Sequence, residues 1–157
     1  MTEFGATTKK FIKIHSFEVI LELNGSIVAV DYESKIVKIE WHGVVDLDTA
    51  TELLEKGADM IESGYCNRLL LNRENLKEFS TEARVWIKQD LLKNRGKRLV
   101  RKVGKVATVR SSSAMGSIFA NFISSGIQLV FPSLKLSNFD SENEAFDWLV
   151  ESIELVG

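Results

Sequence analysis

The sequence predicts an α/β domain: a mixed, largely parallel sheet that opens with an antiparallel β meander and is covered by about four helices. Three observations carry this. Residues 17–41 read as short strands punctuated by turn residues. From residue 46 on, apolar residues at helical spacing alternate with short, continuously apolar runs, as expected where helices cover a parallel sheet. There is no internal repeat, low-complexity tract or linker, so 17–157 is expected to form one domain, with 1–16 loosely ordered.

The elements follow in order. "FEVILELNGSIVAVDY" gives strands at 17–23 and 26–32, and Asn24-Gly25 between them supplies the positive φ angles of a tight hairpin turn. In "KIVKIEW", Ile36, Val37, Ile39 and Trp41 suit a third strand. Leu47, Ala50, Leu54, Ala58 and Ile61 then recur every three or four residues, which marks a helix capped by Asp46 or Asp48 and closed at Gly64. "RLLL" is a buried strand, and 72–80 a polar loop leaving it. "STEARVWIKQDLLKN" predicts a helix with Ala83, Trp86 or Ile87, and Leu91 inward, ending before Gly96. "KVATV" is a strand, "SAMGSIFANFISSG" a helix, and "IQLVF" a strand stopped by Pro132. The last helix, "SENEAFDWLVESIEL", begins with a capping box of Ser141 and Glu144.

The totals exclude several functions. A net charge of −2 gives no global pull toward nucleic acid or an anionic membrane, and no run approaches the ~20 apolar residues of a spanning helix. The single Cys66 forms no intramolecular disulfide, which fits a reducing cytoplasm, and its apolar setting favours a packed thiol over a nucleophile. His15 and His42 have no ligands at metal spacing, and no nucleophile elbow or phosphate-binding glycine loop occurs. The expectation is no enzyme, no catalytic residue, no metal and no cofactor. His42 reads as a strand-end polar residue.

Two segments invite function. Residues 93–105 hold seven basic residues, Lys97 and Arg98 among them, and no acid, leaving 13 basic against 22 acidic residues elsewhere. A solvated loop that complements a helix C-terminus explains this, and so does an anion or protein contact. No aromatic interleaves the charges to stack on bases, so nucleic acid is disfavoured. The second segment begins where Asn72, Arg73 and Glu74 leave a strand's carboxyl end, the edge where α/β sheets bind ligands and partners. There Ser80 or Thr81 caps the next helix, and Glu82 complements its dipole. A plain structural connection accounts for the same residues.

"IVKIEWHGVVD", "RLLLNRENLKEFSTEARVWI", "KVATV" and "NEAFDWL" in this order resemble the SpoIIAA-like fold of anti-sigma-factor antagonists and the STAS domains of sulfate transporters. The resemblance spans roughly 17–155 and looks closest to a bacterial STAS/SEC14-like branch. Its marks are Trp41-His42-Gly43 at the end of an early strand and Glu144-Ala145-Phe146-Asp147-Trp148-Leu149 in the last helix. Antagonists carry an Asp after the central strand, an apolar loop anchor, then Asp-Ser-Ser-Gly with the second serine phosphorylated. Without gaps, Asn72 falls on that Asp, Leu76 on the anchor and Ser80–Ala83 on the tetrapeptide. Glu82 then occupies the phosphoacceptor place, with about half to two-thirds of a phosphoryl group's charge. A slip of one or two residues leaves Ser80 or Thr81 available.

The resemblance implies a regulatory module in a bacterial cytoplasm that binds a protein partner through 72–82, guided by the basic segment. Its N-terminal edge strand must be covered, blunted or paired, and pairing would make a homodimer. The alternative is a small apolar or anionic ligand-binding protein of SEC14-like architecture, with "GSIFANFISSGIQLVF" lining the pocket.

Overall fold

Asn24 and Gly25 both adopt positive φ, +53° and +89°, and close the expected hairpin. In the computed structural model, which describes residues 16–111 and 134–156, they join β1 (Glu18–Leu23) to β2 (Ser26–Asp31). Asp31 accepts hydrogen bonds from the amides of Glu33 and Ser34, and the chain reverses into β3 (Ile36–Val45). Helix α1 (Leu47–Glu62) follows, capped by Asp46, whose Oδ1 accepts from the Thr49 amide at 2.9 Å. That bond holds the Asp46 carboxyl below its ordinary pKa. Next come β4 (Arg68–Phe79) and α2 (Thr81–Trp86), which widens into a π-helix over Ile87–Arg95 and tightens again as α3 (Gly96–Leu99). β5 (Lys105–Val109), β6 (Lys135–Phe139) and α4 (Glu142–Val156) complete the described chain.

The six described strands form one sheet in sequence order. β1–β2 and β2–β3 are antiparallel, and the remaining three pairings are parallel, as the sequence predicts. Val37, Ile39, Trp41 and Val45 pack with Ala50, Leu53, Met60 and Ile61 of α1 on one face. Gly57 permits this approach, because a Cβ there would lie 3.0 Å from the Ile39 side chain. On the other face Ile36, Leu70, Ala107 and Val109 meet Ala145, Phe146 and Leu149 of α4. Each fully buried leucine contributes about 1.5–3 kcal/mol. Cys66 is buried, and burial pushes its thiol up to about 11, so it is a packed thiol as expected.

Four expectations are corrected. Residues 72–79 are not a loop: β4 runs through them, and β3 continues past Trp41 to pair with them as far as Val45–Phe79. His42 is therefore an exposed residue within a strand, its amide donating to Ser26 Oγ at 2.9 Å. The helix after Ser80 does not stop before Gly96 but reaches Leu99, so part of the basic segment is helical. β6, "KLSNF", was not anticipated, because an edge strand of half-exposed residues shows no apolar run. The expected helix at 113–126 and strand at 127–131 lie outside the described residues.

The β1 edge carries a bulge between Val19 and Leu21 and exposed Glu18 and Glu22. These features blunt an edge strand without a second copy.

Candidate functional site

The structure distributes the residues singled out from sequence over four places. Asn72 is buried on the α4 side of the sheet. Its Nδ2 donates to Glu142 Oε1 at 2.8 Å and to Glu74 Oε1 at 3.3 Å, and its Oδ1 accepts from the Glu74 amide at 2.9 Å. Lys38 completes the cluster, its Nζ 3.1 Å from Glu142, 3.5 Å from Glu40 and 4.4 Å from the Phe17 ring centre. This network ties the first turn of α4 to β3 and β4, so Asn72 acts as a structural tie.

Arg73 points to the opposite face. Ala107 and Val109 pack under α4, so Thr108 between them faces the other way, and Arg73 Nη2 donates to Thr108 Oγ1 at 3.2 Å and to Asn138 Oδ1 at 3.5 Å. The Thr108 hydroxyl itself donates to Asn138 Oδ1. Arg73 is only 5% exposed, and its Nε is a buried nitrogen with no hydrogen-bond partner among the described residues. Burial, and then the charge of Arg110, lower its pKa.

Ser80 caps α2, its Oγ accepting from the Ala83 amide at 3.1 Å. Thr81 and Glu82 are exposed in the first turn that follows. Lys97 is exposed, and Arg98 stands 3.7 Å from Glu62. The basic segment is not a freely solvated loop: Arg95 reaches Asp59 and Glu62 of α1 at 2.6 Å each and Glu55 at 3.9 Å, and Lys102 donates to the Glu62 carbonyl at 2.9 Å. Burial pulls the Arg95 pKa down, but its bonds to Glu62 and Asp59 outweigh this and raise it; the same Arg95 bond depresses Glu62. Lys105, the last basic residue, is buried, donating to the Trp148 carbonyl with its Nζ 4.0 Å over the Trp148 ring.

A groove of about 620 Å³ lies where the β1–β2 hairpin meets α1 and α2, lined by Leu23, Asn24, Leu47, Asp48, Thr49, Thr51, Glu52 and Trp86. Asn24 Nδ2 donates to Thr49 Oγ1 at 2.9 Å and fixes the hairpin to the helix. The sequence puts Leu47 on the apolar face of α1 and either Trp86 or Ile87 inward, and it is Ile87 that is buried. Leu47, in the first turn of α1, is instead 36% exposed, and Trp86 is half-buried. Val44 and Val85 are exposed at 61% and 47%. The signal for Val44 was the doublet Val44-Val45 on a strand, where only one of two neighbours can face the core.

Among the described residues no helix is long and apolar enough to cross a membrane, and no group of His, Cys, Asp and Glu is arranged to hold a metal ion. No family model matches the chain, and no curated protein does. Among solved structures the chain is similar to the anti-sigma factor antagonist SpoIIAA in its unphosphorylated form, at 15% identity and a TM-score of 0.49, covering 90% of this chain and 97% of that one. It is also similar to an uncharacterized protein of the DUF3478 family with a SpoIIAA-like fold from Shewanella loihica PV-4, at 13% identity and a TM-score of 0.48, covering 85% and 92%. Both likenesses concern the fold alone.

Proposed function

We propose that this chain is a non-enzymatic regulatory module of a bacterial cytoplasm that works by binding a protein partner at the groove beside Leu47 and Trp86. The observation that carries this reading is the apolar side chains left at the surface around the carboxyl end of β3, the start of α1 and the end of α2: Val44, Leu47 and Val85, with half-buried Trp86 on the groove wall. Exposed apolar clusters rimmed by polar groups are characteristic of protein contacts, and tryptophan is enriched among their dominant residues. Asp48 and Glu52 line the groove, and exposed Glu82 lies in the first turn of α2. The partner that fits therefore presents an apolar side chain flanked by basic residues.

Affinity capture from the protein's own host, read by native mass spectrometry, tests the site. The wild type should retain a second polypeptide, Leu47→Asp should lose it, and Val19→Asp, at an exposed valine of β1 away from the groove, should retain it. Equal capture by both variants, or none by the wild type, would sink the proposal.

A further inference from the structure

Arginine is the least forgiving cation to bury, because it stays charged and its planar fork presents donors in fixed directions. Arg73 lies in the middle of β4, held near the carboxyl ends of β5 and β6 by two neutral side chains, Thr108 and Asn138, and among the described residues its Nε–H has no acceptor. A residue retained only for packing would be cheaper as an apolar one of similar volume. The backbone also aims it. Glu40 pairs with Asn72 and His42 with Asn75, so Arg73 and Glu74 together stand opposite Trp41 alone, a bulge of the kind that redirects a side chain beside a site.

The neighbours complete a donor set. Asn138 Oδ1 accepts from both Arg73 and Thr108, which leaves its amide nitrogen to donate. Asn138 is exposed, so the cluster opens to solvent there. Arg110 follows β5, its amide donating to the Phe139 carbonyl at 3.0 Å, and its exposed guanidinium meets Asp140 at 3.0 Å. Arg110 is near enough for its charge to lower the Arg73 pKa, and among the described residues the carboxylate in contact with these cations is Asp140, on Arg110. We propose that Arg73, Asn138 and Arg110 bind a small oxyanion, a phosphate or carboxylate group, at the carboxyl ends of β5 and β6, beside the middle of β4. Such a group supplies the oxygen that Arg73 Nε lacks, in a charge-assisted bond. The site is separate from the partner groove and does not depend on it.

The test reads Arg73 directly. Side-chain ¹⁵Nε–¹H spectra of the full chain are recorded during titration with sodium phosphate or sodium acetate, with sodium chloride at matched ionic strength as control. A saturable shift of the Arg73 Nε–H resonance with phosphate or acetate, absent with chloride, is expected, and the tighter of the two assigns the group. Arg73→Lys keeps the charge but loses the fork and should weaken binding roughly tenfold or more. Asn138→Ala, at an exposed position that leaves the fold intact, should weaken it less. An unmoved Arg73 resonance, or one that drifts equally with chloride, overturns the proposal without reference to any variant.

Discussion

Asn72 and Arg73 are adjacent, equally buried and both polar, yet they settle on opposite faces of β4 in opposite states. Around Asn72 the donors and acceptors close on one another, and Lys38 supplies the cation that Glu40 and Glu142 require. Around Arg73 the contacts are neutral and one donor is left over. Burial alone therefore does not distinguish a structural polar residue from a site residue. The distinction lies in whether the bonding capacity is exhausted within the fold.

The sharpest way to break this comparison is to remove the cation of the closed cluster. Lys38→Met should take from Glu142, whose side chain is 22% exposed, and Glu40 the cation they share. The loss expected is about 3 kcal/mol, toward the low end for a broken buried pair because solvent still reaches the carboxylates. Urea denaturation monitored by tryptophan fluorescence measures it. On the other face, Arg73→Met in phosphate-free chloride buffer should change stability by no more than ~1 kcal/mol, because Thr108 and Asn138 keep their own bond and no carboxylate loses a partner. A loss at Arg73 as large as that at Lys38 would mean that the open donor matters to the fold and the contrast fails.

How far these places could be read from sequence differs in the same way. The hairpin at Asn24-Gly25, the helical spacing of α1 and the two helix caps, each narrowed to a pair of residues of which Asp46 and Ser80 are the ones used, were legible because each depends on residues within a few positions. The course of β4 beyond Asn72 was not. Register shifts against β3 on either side of the His42–Asn75 and Gly43–Leu76 pairs break the two-residue alternation, so the inward Leu76 and Phe79 fall three apart. That spacing, among charged neighbours, reads as a loop. The widening after Trp86 was equally hidden, since Ile87 turns inward in either helix type. Arg73 was named from sequence for its place at a strand's carboxyl end. Its partners, Thr108 and Asn138, are 35 and 65 residues away and no local pattern connects them.

A third region sharpens the comparison at its weak end, where charges meet in water instead of under a helix. Glu55, Asp59 and Glu62 recur every three or four residues along α1 and form one stripe, along which Arg95 lies. The Arg95 hydrogen bond depresses the Glu62 pKa from its ordinary 4.5. A depressed carboxylate stabilises the fold fully above its unfolded pKa and loses that contribution as pH falls through the folded one. The contribution should thus be complete at pH 6 and fade below about pH 4.5, toward the lower folded value. Half-buried ion pairs at a helix surface are worth little, so Glu62→Gln should cost about 1 kcal/mol or less at pH 7 and flatten the acid limb of a thermal-melt series below about pH 4.5. Adding salt should shrink the wild-type advantage at pH 7, whereas the Lys38 cluster, shielded by α4, should respond much less. Equal salt sensitivity in the two places would show that the cluster under α4 is as open to solvent as the stripe on α1.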